Sequence, residues 1–384
     1  MLQKVIKDNI FLILSVVLTA LAIFPLFHFG LFPMHDNEQV GRLFELDVAL
    51  KAGQFPVRMV GDLGFGYGYL LFNYYPPMVY YLGELFRLIH FSYIDSIKLV
   101  MGFGFVLSAV SMYFFVKEMY GKFAGLISAV FYTYAPYHSV DLYVRGALPE
   151  FFSFAFIPAI FWSYLKLSKQ NSKKYVTIAS LFNFSLVVTH NLVALMGSVF
   201  IGVYILFLLS QLKDKKTFIK NVALTLVFSV LLSSFFIIPA LIENKYTMVS
   251  LLTTQLANYD IHFVCLEQFW NSPWGYGGSA AGCMDGLSFK LGKLHILLSA
   301  LSILLALYFL LKKKIHKEVF LFFLMLIFSL FMQTSYSKFI WDHIQPLSYI
   351  QFPWRYLLFS AFFASVLVGF LSSQLQRFKL EFYF

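Results

Sequence analysis

The sequence predicts an all-α polytopic membrane protein with about ten transmembrane helices, and three observations carry that prediction. The 384 residues are 60% hydrophobic and only 12% charged, against about 25% charged in a soluble domain. Phe, Trp and Tyr make up 20% of the chain, more apolar surface than a soluble protein of this size hides from water. The basic residues fall in short clusters between apolar runs, as the positive-inside rule requires. That scatter also excludes a nucleic-acid surface, because the formal charge of +10 forms no single patch.

The first apolar run, Ile10 to Phe32, follows Lys4 and Lys7. It is too long for a signal-peptide core and no clear small-residue cleavage site precedes Pro33, so it reads as a retained helix. Further spans are expected at 99–116, 123–137, 151–167, 175–190, 191–210, 221–241, 293–311, 318–333 and 355–373. The stretch 68–89 is apolar but holds Pro76 and Pro77, and reads as a re-entrant or interfacial element. Residues 175–210 as one helix would run about 54 Å against a hydrocarbon core of about 30 Å. Two shorter helices hinged near His190 and Asn191 are therefore expected.

Charge supports this arrangement. With the N-terminus inside, 18 of the 29 basic residues become cytoplasmic together with only 5 of the 19 acids. Both termini then lie in the cytoplasm, with external loops at about 33–98, 242–292 and 334–354. The whole chain, 1–384, reads as one integral membrane domain with no internal repeat and no separate soluble domain. Five of the six arginines (Arg42, Arg58, Arg87, Arg145 and Arg355) fall outside, whereas 17 of the 23 lysines fall inside. Arginine is the residue for bidentate contact with phosphate or carboxylate. Recognition is therefore expected on the non-cytoplasmic face.

Asp36 and Glu38 stand where the chain leaves the first span. At that spacing two carboxylates can share a divalent cation such as Mg or Mn, or one can act as a general base. Asp36 can equally cap the short amphipathic helix expected from Glu38 to Ala52. The aromatic stretch 61–83 lacks any phosphate-loop signature; it fits an interfacial belt or, alternatively, a groove that lines a lipid tail or stacks on sugar rings. Arg145 and Glu150 flank Gly-Ala-Leu-Pro, close enough to pair structurally or to reach one ligand. His190 sits at a helix junction, either as a structural hydrogen-bonding group or as a costly membrane-level polar group kept for function. Arg355 enters the last helix where a lipid phosphate would lie. Cys265 and Cys283 share the second external loop, where a disulfide is plausible and two thiols remain an alternative.

The segments HDNEQVGRLFELDVALKAGQFPVR, YVRGALPEFF, THNLVALMG, PWGYGG and FPWRYLLF, in that order, resemble bacterial membrane proteins labelled 6-pyruvoyl-tetrahydropterin synthase-related. These are in turn similar to the GT-C glycosyltransferase superfamily. No zinc-binding histidines of a soluble pterin site occur. The GT-C resemblance implies a bacterial inner-membrane enzyme that moves a hexosyl or pentosyl unit from a polyprenyl-phosphate donor to a glycan, lipid or protein acceptor. It implies a catalytic role for Asp36 with Glu38 as its companion, and candidate lipid-phosphate contacts at Arg58, Arg145 and Arg355; Glu150 and His190 are substrate-contact candidates by their own placement. Two other readings stay open: a polysaccharide polymerase, and a transporter or flippase for a lipid-linked sugar. The latter class is built on broken helices and inverted repeats.

Overall fold

The computed structural model describes residues 2–248, 251 and 258–382. Among them there is no β-strand, only an isolated bridge between Val60 and Tyr69. Each of the ten apolar segments contains helix, but the first ends at Phe27 rather than at Phe32 and 123–137 breaks after Thr133. Seven helices have the length and apolar character to cross a membrane, or eight if Lys317–Phe331 and Ser335–His343, bent by 93°, are one broken span. This is fewer than the ten counted from charge. The segments at 123–137 and 175–190 form helices of only 12 and 17 residues, about 18 and 26 Å long at 1.5 Å per residue.

The chain forms two compact units. One comprises Pro25–Gly104 and Arg145–Val249. It contains α2 (Gln39–Lys51), α3 (Leu71–Tyr74), α4 (Met78–Leu88) and the start of α5 (Tyr93–Tyr120). It also contains α8 (Leu148–Gln170), α9 (Lys173–Thr189), α10 (Asn191–Gln211) and α11 (Lys215–Glu243). Helix α8 is buried almost all round, which is what an all-apolar helix at the centre of a bundle requires. It packs on α9, α10 and α4, and α9 packs in turn on α11. Between α9 and α11 small polar residues bring the backbones close: Ser180 Oγ donates to the Thr225 carbonyl at 3.2 Å, and Ser229 Oγ to the Ser180 carbonyl at 3.4 Å. Such contacts replace the hydrophobic drive that lipid does not supply.

The expected break near residue 190 is present. His190 has extended backbone (φ −156°, ψ 97°) and separates α9 from α10. Pro76 and Pro77 separate α3 from α4, with Pro77 in the capping position of α4. The amphipathic helix after Asp36 runs Gln39–Lys51 and packs on α4. The contact is close at Gly83, where a Cβ would stand 3.1 Å from the Leu43 methyls.

The other unit comprises Met1–Phe24, Phe105–Val144 and Ser250–Phe384. It contains most of α1 (Leu2–Ile23), the rest of α5, α6 (Lys122–Thr133), α7 (Pro136–Tyr143) and the C-terminal helices. Its centre is the last helix, Leu357–Phe382, against which α6, Lys293–Leu311 and Lys317–Phe331 pack. Gly369 permits the approach of α6, since a Cβ there would meet Ser128 Oγ at 2.2 Å. Cys265 and Cys283 are joined by a disulfide with a Cα–Cα distance of 5.5 Å. The same loop is braced by Asp285, which accepts from Gln268 Nε2 at 2.6 Å and from the Ala280 amide at 2.8 Å.

Candidate active site

Asp36, Glu38, Arg58, Arg145, Glu150 and His190 belong to one unit, and Arg355 to the other. The Asp36 amide donates to the Arg145 carbonyl at 2.8 Å. The chain can lie this close because residue 146 is glycine. It has φ +65°, and a Cβ there would stand 2.4 Å from Met34 Sδ and 3.1 Å from the Asp36 carbonyl. One turn later Gln39, fully buried, donates through Nε2 to the Gly146 carbonyl at 2.8 Å and accepts from Tyr80 Oη at 2.6 Å. The entry to α2 is thus pinned at two points on the Arg145–Gly146 turn.

The Asp36 backbone is fixed, but its carboxylate is not engaged: it is half-buried and makes no hydrogen bond to a described residue. Nor does Asp36 cap α2. The capping position is Glu38, which makes no side-chain cap bond. Glu38 is exposed and its nearest cation is Arg42 at 4.0 Å.

Beneath the Arg145–Gly146 turn lies a chain of ionisable groups. Arg145 Nη1 meets Glu150 Oε2 at 2.9 Å, with both side chains buried. His190 Nδ1 accepts the Val193 amide at 3.1 Å, capping α10. In the neutral ring this leaves the proton on Nε2, 4.0 Å from Glu150 Oε2. The junction at His190 and the start of α8 thereby meet through Glu150.

Arg42 was not among the site residues expected from the sequence. Its guanidinium lies 4.4 Å from the centre of the Tyr75 ring and 3.4 Å from Tyr80 Oη. Burial pulls its pKa down most, but Tyr80, Tyr75 and Glu38 together carry it above the ordinary value. It stays charged. Burial, first, and then the Asp36 charge push the Tyr75 hydroxyl upward, although Arg42 opposes them. Asp36, Arg42 and Tyr75 therefore share one electrostatic environment.

Arg58 belongs to a second network. It donates to Asn73 Oδ1 and to the Phe235 carbonyl, both at 3.2 Å, and Asn73 Nδ2 donates to Glu243 at 2.9 Å. Arg355 donates to the Ile350 carbonyl at 2.7 Å and lies 5.0 Å from the centre of the Phe352 ring. Among the described residues no three His, Cys, Asp or Glu side chains are grouped to hold a metal ion. A Mg or Mn at Asp36 and Glu38 would need phosphate and water oxygens for the rest of its shell.

Over 98% of its length the chain is similar to the archaeal oligosaccharyltransferase AglB of Archaeoglobus fulgidus, solved with an inhibitory peptide and a dolichol-phosphate. The TM-score is 0.60 and the identity 14%. The apo form of the Archaeoglobus fulgidus oligosaccharyltransferase gives a TM-score of 0.60 at 11% identity over 96% of the chain. In both cases only 51% of the larger protein is covered, and at such identities the likeness establishes the fold. Residues 72–382 match the 6-pyruvoyl-tetrahydropterin synthase related domain, a membrane-protein family, and the chain belongs to that family. An uncharacterized protein of Lactococcus lactis subsp. cremoris (strain MG1363) is 24% identical over 243 residues, 61% of this chain and 39% of that protein. The family match begins after Asp36 and Arg42, so their assignment rests on geometry.

Proposed function

We propose that the protein transfers a sugar from a polyprenyl-phosphate donor to an acceptor hydroxyl, at the non-cytoplasmic face of a bacterial cytoplasmic membrane. The observation that carries this reading is Asp36: a backbone pinned to the Arg145–Gly146 turn, with a half-buried carboxylate that makes no hydrogen bond among the described residues. A general base needs both properties, a fixed position and a free lone pair. The acceptor oxygen attacks the anomeric carbon and its proton passes to Asp36. The bond from that carbon to the phosphate oxygen breaks, and the phosphate leaves with the electron pair. Glu38 flanks the base and is within reach of the same acceptor.

Arg42 is the best-placed phosphate contact. Arg145 is held at 2.9 Å by buried Glu150, and Arg58 by Asn73 and the Phe235 carbonyl. Arg42 meets its one carboxylate only at 4.0 Å and keeps donors for an incoming anion. In this reading Arg145, Glu150 and His190 are positioning residues, and Arg355 is a separate candidate for a lipid phosphate.

The test is transfer by purified protein from a polyprenyl-phosphate-linked sugar to an added glycan, lipid or peptide acceptor. Asp36→Asn should lower the rate about 10²–10⁴-fold while donor binding persists. Wild-type transfer by Asp36→Asn would contradict the assignment.

The buried Arg145–Glu150–His190 chain also favours a second reading, movement of a lipid-linked sugar across the membrane. Ionisable groups inside a helix bundle commonly line such paths. In that case labelled donor would change leaflets with its sugar–phosphate bond intact.

A further inference from the structure

Residues 28–92 join the span ending at Phe27 to the span beginning at Tyr93. Their longest helices, α2 and α4, have 13 and 11 residues, about 20 and 16 Å, too short for a core of about 30 Å. The segment therefore leaves and re-enters the lipid on one face. Lys98 Nζ donates to the His28 carbonyl and ties its two ends. Exposed rings stand at both ends: Phe27, Phe29 and Phe91.

Within this segment residues 61–70, GDLGFGYGYL, form a tip closed by its own backbone. Val60 and Tyr69 exchange two hydrogen bonds of 2.9 Å, the Gly68 amide donates to the Leu63 carbonyl at 3.1 Å, and the Gly66 amide to the Asp62 carbonyl at 3.2 Å. Gly64, Gly66 and Gly68 have φ between +68° and +85°, and Phe65 itself has φ +60°. Met59 fills the space beside Gly68, where a Cβ would stand 2.4 Å from its methyl carbon. Phe65 is 102% exposed and Tyr67 90%. Asp62 is the one charged residue of the tip, and its amide is bonded to Glu45 of α2 at 3.2 Å.

We propose that this tip is a membrane-interface anchor, with Phe65 and Tyr67 seated among the headgroups and upper acyl chains of the bilayer that the protein spans. Lipid is the occupant because the segment that carries these exposed rings also carries exposed rings at both its span ends, where aromatic side chains mark the interface. The lack of basic residues in the tip removes the usual means of gripping an anionic macromolecule. Bonded through Asp62 to α2, the anchor sets the height of the helix that carries Arg42. It requires no catalytic activity.

The test uses the full chain in nanodiscs of phosphatidylcholine and phosphatidylglycerol. Phe65→Cys and Tyr67→Cys are each labelled with a nitroxide, the native cysteines being joined as a disulfide. Collision with oxygen and with a water-soluble nickel chelate is then read by power saturation. Greater accessibility to oxygen than to nickel at both positions is expected. Greater accessibility to nickel at both would overturn the anchor and leave the tip as a site for a water-borne partner. Tyr67→Cys lies outside the left-handed region, so it reports even if the change at Phe65 disturbs folding.

Discussion

Asp36 and Glu150 are carboxylates of the same unit, and both are tied to the Arg145–Gly146 turn, yet they are left in opposite states. Asp36 is joined to it through its backbone amide, and its half-buried carboxylate makes no hydrogen bond among the described residues. Glu150 is fully buried and its carboxylate is held by Arg145 at 2.9 Å. A buried carboxylate without its partner costs several kcal/mol, so the proposal gives Glu150 a positioning role. A half-buried carboxylate costs less to leave without a partner, and that is why the proposal gives the proton transfer to Asp36.

The largest effect that would break this comparison is on stability. Glu150→Ala leaves Arg145 buried and unpaired and should cost about 3–5 kcal/mol, read as a lowered midpoint in thermal unfolding. The paired change Arg145→Met with Glu150→Leu should recover most of that loss. Wild-type stability of Glu150→Ala alone would remove the structural role. Arg42→Ala should weaken donor binding by about 1.5–3 kcal/mol, the worth of a charge-assisted hydrogen bond, with melting little changed. Equal donor affinity in equilibrium binding would move the phosphate elsewhere.

Gly146→Ala tests the turn that joins the two carboxylates. The left-handed backbone should cost about 1–2 kcal/mol. The added methyl would also displace Met34 and the Asp36 carbonyl, so transfer should fall more than stability does. The smallest effect concerns acid. The Asp47 pKa is lowered: burial opposes this, but the bond from Lys51 at 2.7 Å and that from Tyr93 outweigh it. A depressed carboxylate contributes stability above its unfolded value, about 3.9, and loses it as pH falls through the folded value. Lys51→Gln should therefore make acid unfolding begin at slightly higher pH, followed by circular dichroism.

Much of this architecture was legible in the sequence where a local rule applies. Prolines 76 and 77 stop a helix, and the excess length of 175–210 requires a break, which falls at His190. Charge clusters mark where chains emerge but say nothing of helix length. That is why α6 and α9, at 12 and 17 residues, were counted as full spans. Arg42 was not singled out for a physical reason. It stood as one of five external arginines with nothing local to set it apart, and the rings that do so, Tyr75 and Tyr80, arrive from more than thirty residues away. Gln39 was equally invisible, since a polar residue at a helix start carries no sign that tertiary contacts will bury it.

Single-turnover transfer by wild type and Asp36→Asn, each preloaded with the same polyprenyl-phosphate-linked sugar, tests the central claim most directly. The account predicts equal loading and a rate about 10²–10⁴-fold lower in the variant. Equal rates from equally loaded proteins would contradict it.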